Sequence, residues 1–257
     1  MLTPPEIAQS LLAAGESKAR LPFGKMLLLA ILAGAYIALA GVGATAAAVT
    51  VESGSLAKLL SACVFPAGLS MVILAGSELF TGNCLMVMAL LERRITPAQL
   101  LRNWLTVYLG NAVGGAAVAA LAVYSHTASL FGDGLARSMV SIAESKAALG
   151  AGDAFLRGVL CNFLVCLAVW MAAASKRAEG KVIALFFPIL LFVLCGYEHC
   201  IANLYYLPAG AFAAAEYGVE TTLTLAGCLK NLAAVTLGNL VGGAALGVGY
   251  RFAYLKE

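Results

Sequence analysis

The sequence predicts an all-α membrane protein with six transmembrane helices, arranged as an inverted 3+3 repeat in which spans 2 and 5 are interrupted. Three observations predict this fold class: an apolar composition, six long apolar runs, and motifs that occur twice in the same order. Of 257 residues, 62% are hydrophobic and 11% are charged, and the mean hydropathy is +0.93. Soluble domains contain about 45–50% apolar and about 25% charged residues, so this chain is suited to lipid.

Six apolar runs are long enough to cross a bilayer, which requires about 20 apolar residues. They lie near residues 26–49, 58–91, 100–124, 154–174, 182–208 and 223–250. The 34 residues of the second run exceed what one straight helix needs, at about 1.5 Å per residue, to cross a core of about 30 Å. Gly76 and Glu78 interrupt this run, and Gly196 and Glu198 interrupt the fifth. Such breaks are tolerated where the freed backbone packs on protein or lines a cavity.

Lysine and arginine residues are concentrated on one side of the predicted spans. They precede run 1, occupy the 2–3 and 4–5 loops and follow run 6: Lys18, Arg20, Lys25, Arg93, Arg94, Arg102, Lys176, Arg177, Lys181, Arg251 and Lys256. Cytoplasmic loops carry such an excess, so both termini are predicted to be cytoplasmic, with residues 1–22 as an amphipathic interfacial helix. The net charge of +3 is too small and too dispersed to indicate nucleic-acid binding.

Motifs of the N-terminal half return in the C-terminal half. The aligned pairs are "GESKA" (15–19) with "AESKA" (143–147), "AGSELFTGN" (75–83) with "CGYEHCIAN" (195–203), and "RNWLTVYLGNAVGGAA" (102–117) with "KNLAAVTLGNLVGGAA" (230–245). The offset is 128 residues for the first and third pairs and 120 for the second. Each half, roughly 15–125 and 143–250, contains three spans, and an odd number of spans turns the second copy upside down. The chain is therefore predicted to be a single transmembrane domain, 1–257.

Two glutamates lie at membrane depth, where an ionisable side chain costs at least about 2.5–3.5 kcal/mol. Glu78 and Glu198 each adjoin a predicted break, where a carboxylate can accept the free backbone N–H groups of a helix start. An asparagine follows each glutamate five residues later, which predicts a structural polar network of Glu78, Asn83, Glu198 and Asn203. The lysine of each Glu-Ser-Lys-Ala motif, Lys18 or Lys146, is expected to pair with the glutamate of its half and to stand at one mouth.

His199 lies near the midplane and is not required by the repeat, since it aligns with Leu79. A lone histidine on an apolar helix is most often a packing residue. Here it adjoins the break in span 5, where substrate sites of inverted-repeat proteins gather, and an imidazole binds or releases a proton near neutral pH. Thr81 and Asn162 are uncharged hydrogen-bonding groups that could face it. His199 is therefore the candidate proton-handling residue of a substrate pathway.

Metal, cofactor and nucleophile chemistry is not indicated. The seven cysteines lie in or beside apolar runs, where a thiol behaves as a small hydrophobe, and paired C-x-x-C spacing is missing. We expect no metal, no cofactor and no enzyme activity. An intramembrane enzyme using His199 with Cys200 or Thr81 is an alternative, yet adjacent His199 and Cys200 would point about 100° apart on a helix.

Four segments resemble the signature sequences of the formate/nitrite transporter family: "AGSELFTGN", "CNFLVCLAVWMA", "CGYEHCIAN" and "VTLGNLVGG". The resemblance covers essentially the whole chain, and the wording around "GYEHCIAN" and "TLAGCLKNLAAVTLGN" looks closer to the nitrite-channel branch. It implies an aquaporin-like protomer without the Asn-Pro-Ala motifs of aquaporins. It also implies a homopentamer with a pore in each protomer, embedded in the inner (cytoplasmic) membrane of a bacterium or archaeon.

The resemblance also implies roles for individual residues. The family's central histidine maps to His199 and its loop threonine to Thr81. The remaining polar pathway positions, two pore-facing asparagines and two vestibule lysines, map to Asn162, Asn239, Lys18 and Lys146. The hydrophobic constrictions map to Leu69, Leu79 and Phe80 on the cytoplasmic side and to Phe65 and Phe192 on the periplasmic side.

The expected function is passive or proton-linked transport of small monovalent anions of weak acids: nitrite, formate and hydrosulfide. The vestibule lysines raise the local anion concentration, and desolvation between two apolar collars favours the neutral acid. His199 would either donate the proton or, if already charged, pair with the anion, and the sequence leaves both open. A neutral-solute channel for water or glycerol is the alternative, but it does not account for the paired lysines or the midplane histidine.

Overall fold

The computed structural model describes residues 1–255, and within that range every regular element is a helix. Lys256, one of the cations that oriented the termini above, lies outside the described residues. The α-helices are α1 Pro4–Ala19, α2 Phe23–Ala48, α3 Gly54–Val64, α4 Pro66–Ala75, α5 Phe80–Asn83, α6 Val87–Leu91, α7 Pro97–Tyr124, α8 Gly134–Ala148, α9 Ala151–Ala173, α10 Ala178–Leu194, α11 Cys200–Tyr217 and α12 Leu225–Tyr254.

The predicted N-terminal helix is α1, and local chemistry accounts for where it starts. Two prolines occupy its first turn, where their missing N–H groups cost nothing. Thr3 and Glu6 form a capping box, in which the Glu6 carboxylate accepts the Thr3 backbone N–H at 2.7 Å. The Thr3 hydroxyl donates a second hydrogen bond to the same carboxylate at 2.8 Å. The backbone hydrogen bond, and after it the hydroxyl one, lowers the pKa of Glu6.

Within the described residues, five helical stretches are long and apolar enough to cross a membrane: α2, α3–α4, α7, α9 and α12. Four of them coincide with predicted spans 1, 3, 4 and 6, and α3–α4 covers the part of predicted span 2 that precedes the break, with Phe80–Leu91 as a shorter apolar stretch after it. Predicted span 5 is divided between α10, with 17 residues, and α11, with 18. The sequence and the helices thus agree on an all-helical membrane fold.

Both predicted breaks are present, and a glycine opens each. The chain leaves the helix at residues 76–79 and again at 195–199. Gly76 has φ +77° and Gly196 has φ +68°, a left-handed conformation that glycine adopts without the steric cost of a Cβ. The helix restarts at Phe80 after the first break and at Cys200 after the second. The two breaks are therefore built in the same way.

Helix α8 was not expected, because residues 125–153 lie between two predicted spans and contain no long apolar run. Its residues are too polar for a span, but they bury one face that includes Leu135, Met139 and Ala143. Adding the repeat offset of 128 to α1, residues 4–19, gives 132–147, which is nearly α8. The two Glu-Ser-Lys-Ala motifs therefore end equivalent helices.

The Gly-Gly motifs of the repeat lie where long helices cross. A Cβ on Gly114 of α7 would come within 2.0 Å of the Ile31 carbonyl oxygen of α2. A Cβ on Gly242 of α12 would come equally close, 2.0 Å, to the Val159 carbonyl oxygen of α9. Small residues let membrane helices approach to backbone contact. Gly242 follows Gly114 by 128 positions, and Val159 follows Ile31 by the same offset. The two helix crossings are therefore equivalent.

Candidate functional site

A buried polar network surrounds the first break. Lys18 Nζ lies 2.7 Å from Glu78 Oε1. Asn83 donates both amide hydrogens, one to Glu78 Oε2 at 2.8 Å and one to Asn103 Oδ1 at 2.9 Å. Glu78 and Asn83 are buried. Each oxygen of the Glu78 carboxylate has a hydrogen-bond donor, and these donors offset the cost of removing the carboxylate from water.

The second break carries the same network. Lys146 Nζ lies 2.9 Å from Glu198 Oε1, and Asn203 donates to Glu198 Oε2 at 2.7 Å and to Asn231 Oδ1 at 2.8 Å. The structure thus contains both lysine–glutamate contacts that the repeat led us to expect. Asn103 and Asn231 were missed, although both stand beside a basic residue in the aligned motifs at an offset of 128.

Two asparagines clamp the breaks to the long helices. Asn111 of α7 accepts the Phe80 backbone N–H at 3.0 Å and donates to the carbonyls of Ala30 at 2.7 Å and Glu78 at 2.9 Å. The amide therefore satisfies two backbone groups that the break leaves without a helical partner, the Phe80 N–H and the Glu78 carbonyl, and adds a second hydrogen bond to a carbonyl within α2. Asn111 was not among the predicted site residues, although the duplicated Gly-Asn dipeptide marks it.

Asn239 of α12 makes the equivalent clamp. It accepts the Cys200 N–H at 2.9 Å and donates to the carbonyls of Gly158 at 2.8 Å and Glu198 at 2.9 Å. Asn239 was expected in the substrate pathway. Its side chain is fully buried, and these three hydrogen bonds all go to backbone groups.

The two breaks meet at His199 and Thr81. His199 Nε2 lies 2.9 Å from Thr81 Oγ1, and both residues are buried. His199 is also the N-cap of α11, where Nδ1 accepts the Ala202 backbone N–H at 3.1 Å. A neutral imidazole that accepts at Nδ1 carries its proton on Nε2. Nε2–H therefore donates to Thr81 Oγ1, which leaves the threonine hydroxyl hydrogen free to turn elsewhere.

Asn162 does not bond His199 but holds the loop that carries Thr81. Its Nδ2 donates to the Thr81 carbonyl at 3.3 Å and to the Asn239 carbonyl at 2.7 Å. The Cys166 thiol reaches the same Thr81 carbonyl at 3.3 Å. Side chains of α9 thus hold the backbone of Thr81 in place.

The five residues assigned to constrictions are all buried within one apolar cluster: Phe65, Leu69, Leu79, Phe80 and Phe192. The Phe65 and Phe192 rings meet edge to face with centroids 5.7 Å apart, and Phe192 stacks on the His199 ring at 5.8 Å. Phe80 packs edge to face on Tyr108 at 5.1 Å. One aromatic ring, Phe192, therefore stacks on the imidazole, and Phe65 packs against that ring.

A cavity of about 560 Å³ leads to the imidazole from one side. Its lining includes Lys146, Glu198 and His199 together with Phe65 and Phe192. The structure thus brings together one vestibule lysine, one aromatic pair and the histidine, which lie far apart in sequence. Among residues 1–255 we find no group of three His, Cys, Asp or Glu side chains placed to hold a metal ion.

Two interrupted helices that meet at a buried imidazole–hydroxyl contact, reached from a lysine-bearing cavity, define a polytopic membrane protein of the channel or transporter class. The family model "Formate/nitrite transporter" matches residues 5–253. The chain belongs to this family, whose members are channels and transporters and not enzymes. This confirms the family indicated by the four signature segments.

Similar proteins of known sequence and structure cover nearly the whole chain. A probable formate transporter of Methanothermobacter thermautotrophicus is 39% identical over 99% of this chain and 98% of its own. The formate channel FocA of Haemophilus influenzae is 40% identical over 86% and 84%. Among solved structures, an FNT family ion channel matches with TM-score 0.86 and 32% identity over 96% and 98%, and a pentameric formate channel with formate bound matches with TM-score 0.80 and 33% identity over 91% and 98%.

Proposed function

We propose that this protein is a channel for small monovalent anions of weak acids, with formate as the first candidate and nitrite and hydrosulfide as anions of the same chemistry. The single observation that carries the proposal is the His199–Thr81 contact of 2.9 Å, buried beside aromatic rings and next to a lysine-bearing cavity. An isolated charge does not cross such an apolar region, because its burial costs tens of kcal/mol by Born estimates. A proton donor at this depth removes that cost by neutralising the anion.

We propose an inverted 3+3 repeat of six spans, with α3–α4 through α6 as span 2 and α10–α11 as span 5. The matched networks and crossings support it, and so does the hydrogen bond of 3.0 Å between Tyr108 and Thr236. These residues are 128 apart and thus occupy equivalent positions. A direct contact between equivalent positions is expected on a two-fold axis between the halves.

The assembly and orientation follow from the family and the charges. Because a pentameric formate channel is a structural relative, we propose a homopentamer in which each protomer, 1–257, is one channel domain. The cationic loops favour cytoplasmic termini in the inner membrane of a bacterium or archaeon. Lys18 then faces the cytoplasm and Lys146 the periplasm. Leu69, Leu79 and Phe80 form the cytoplasmic constriction, and Phe65 and Phe192 the periplasmic one.

The geometry favours proton donation over a permanently charged histidine. An imidazolium would carry a second N–H on Nδ1, which would face the Ala202 N–H donor and lose the cap of α11. In the neutral form, Nε2–H donates to Thr81, whose own hydrogen can bond an arriving anion. Desolvation raises the pKa of that anion, so it takes the Thr81 hydroxyl hydrogen while Thr81 takes the proton from Nε2. A proton from solution enters the ring at Nδ1 in the same event, so His199 stays neutral, and the cap of α11 returns when that proton moves back to Nε2.

The test is flux into liposomes that contain the purified protein, with formate, nitrite, hydrosulfide, lactate and chloride at two pH values. We expect formate, nitrite and hydrosulfide to permeate faster at the lower pH, and chloride, which has no neutral acid in this range, to be excluded. Glycerol serves as the neutral control. Flux that is indifferent to pH, with glycerol passing as fast as formate, would instead identify a neutral-solute channel.

A further inference from the structure

The cavity beside His199 contains more positive charge than the proposed transport requires. Its lining includes three cations, Lys58, Lys146 and Arg157, and one carboxylate, Glu198. Lys146 is paired with Glu198 at 2.9 Å. Among residues 1–255, neither Lys58 nor Arg157 forms an ion pair. Among the described residues, the lining of this cavity therefore carries two more positive charges than negative ones.

Both of these cations adjoin the second break. Lys58 Nζ lies 4.0 Å from the point where a Cβ on Gly196 would stand. The Arg157 carbonyl accepts the Glu198 backbone N–H at 3.3 Å, which anchors Arg157 next to the lysine–glutamate pair. Both residues lie in the first two turns of their helices, α3 and α9.

The positions equivalent to Lys58 and Arg157, at the opposite mouth, carry no such pair. The Glu78 N–H bonds the carbonyl of Leu29 at 3.2 Å, so Leu29 is the equivalent of Arg157, 128 positions earlier. The residue 120 positions after Lys58 is Ala178. The duplicated scaffold is therefore complete without these charges, and they belong to one mouth only.

Hydroxyl groups complete the lining of this cavity. Ser138 and Ser141 face it from α8, and no hydrogen bond of either side-chain hydroxyl is found within the described part of the chain. Two unpaired cations and two free hydroxyl donors match the charge and the acceptor oxygens of a doubly charged tetrahedral oxyanion.

We propose that Lys58 and Arg157 form a binding site for divalent tetrahedral oxyanions of the sulfate and phosphate class, in which the bound ion obstructs the pore. Such an ion does not pass the Phe65–Phe192 pair, because the Born cost of burial rises with the square of the charge. It occupies the approach to His199 and competes with a permeant monovalent anion. The binding stands without the transport activity, whereas the obstruction rests on the proposed function.

The test is a calorimetric titration of the detergent-purified protein with sulfate at constant ionic strength. We expect saturable binding that weakens at least about tenfold in Lys58→Gln/Arg157→Gln, since a hydrogen bond to a charged group contributes about 1.5–3 kcal/mol. The matched control is Lys176→Gln/Lys181→Gln, which removes the same charge from the 4–5 loop and should leave the affinity unchanged. Elution as an intact oligomer excludes misfolding.

Absence of saturable sulfate binding, or equal affinity in the Lys58/Arg157 variant and the parent, overturns the site. For obstruction, sulfate added on both sides of the liposome should slow formate flux in the parent and in the control variant but not in Lys58→Gln/Arg157→Gln. Sulfate that binds without slowing formate overturns the obstruction alone. Absence of formate flux in every protein, with sulfate binding intact, would count against the proposed function and leave the binding site standing.

Discussion

The two breaks share their scaffold and differ in their centre. Around each break a lysine–glutamate–asparagine network and an asparagine clamp recur with hydrogen bonds of nearly equal length. Where the helix restarts, the first break carries Leu79 and Thr81. The equivalent residues of the second break, 120 positions later, are His199 and Ile201. One half therefore contributes the imidazole and the other the hydroxyl that it bonds.

This difference separates two kinds of requirement. Backbone groups freed within a membrane must be satisfied wherever a helix is interrupted, so residues that satisfy them are needed in both copies. A proton-handling pair is needed once, at the point where the copies meet. The duplicated glutamates and asparagines therefore indicate structural support, and the unduplicated His199 and Thr81 indicate chemistry.

The largest effect is expected from Asn111→Ala and Asn239→Ala. Each change leaves two buried backbone groups of a break without a partner, at about 1–3 kcal/mol per group, and removes one further hydrogen bond to a helix carbonyl. We expect each variant to lose about 2 kcal/mol or more of unfolding free energy, and the two losses to be similar. Thermal unfolding of the purified protein measures this. One variant unfolding early while the other matches the parent would mean that the breaks are held differently.

The next effect is on transport, from His199→Asn. Asparagine is a good N-cap, so it can accept the Ala202 N–H as His199 does, but it carries no exchangeable proton near neutral pH. We expect the pH-dependent part of formate flux to fall by about a hundredfold, the scale of general acid catalysis, with the oligomer and its thermal stability retained.

Two companion variants sharpen this result. His199→Leu places the side chain of the first break in the second and should lose both the cap and the proton transfer. Thr81→Ser keeps the hydroxyl and should retain pH-dependent flux, whereas Thr81→Val should lose it. Parent-like flux of His199→Asn at every pH would remove the imidazole from the mechanism.

A smaller difference is expected between the two lysines. The Lys146 side chain is 15% exposed and that of Lys18 is 30% exposed, so solvent screens Lys146 less. Lys146→Ala should raise the half-saturating formate concentration in a liposome flux assay by about tenfold, a scale typical of charge-focusing clefts, and Lys18→Ala by less. Maximal rates that fall as much as the rates at low concentration would contradict a role in attracting the anion.

The sequence predicted the scaffold better than the contacts within it. The breaks and both lysine–glutamate contacts were predictable, because ionisable residues at membrane depth must be paired. Helix α8 was missed because the search used long apolar runs, and a short amphipathic helix buries only one face. The Tyr108–Thr236 contact was not predictable, since equivalent positions hold different side chains and only the packing of the halves brings them together. The approach of Lys58 and Arg157 to one cavity was not predictable either, because neither residue belongs to a sequence motif.

The smallest effect concerns a pair of equivalent glutamates outside the membrane, Glu16 of α1 and Glu144 of α8. Glu16 lies 3.7 Å from the guanidinium groups of Arg20 and Arg94. Glu144 instead accepts the Thr222 backbone N–H at 2.6 Å, and this bond, followed by the hydroxyl bonds of Thr221 and Thr222, lowers the pKa of Glu144.

A lowered pKa means that the folded protein favours the ionised carboxylate. Its stabilisation is present above the pKa of the unfolded chain and is lost as the pH falls through the lower folded value. Glu144→Gln should therefore lower the unfolding midpoint slightly at neutral pH, and the difference from the parent should vanish in acid. The difference in unfolding midpoint between Glu16→Gln and the parent should shrink as salt is added, because salt screens exposed ion pairs. Thermal unfolding at two pH values and two salt concentrations separates the two cases, and a Glu144 effect that persists in acid would contradict the assignment.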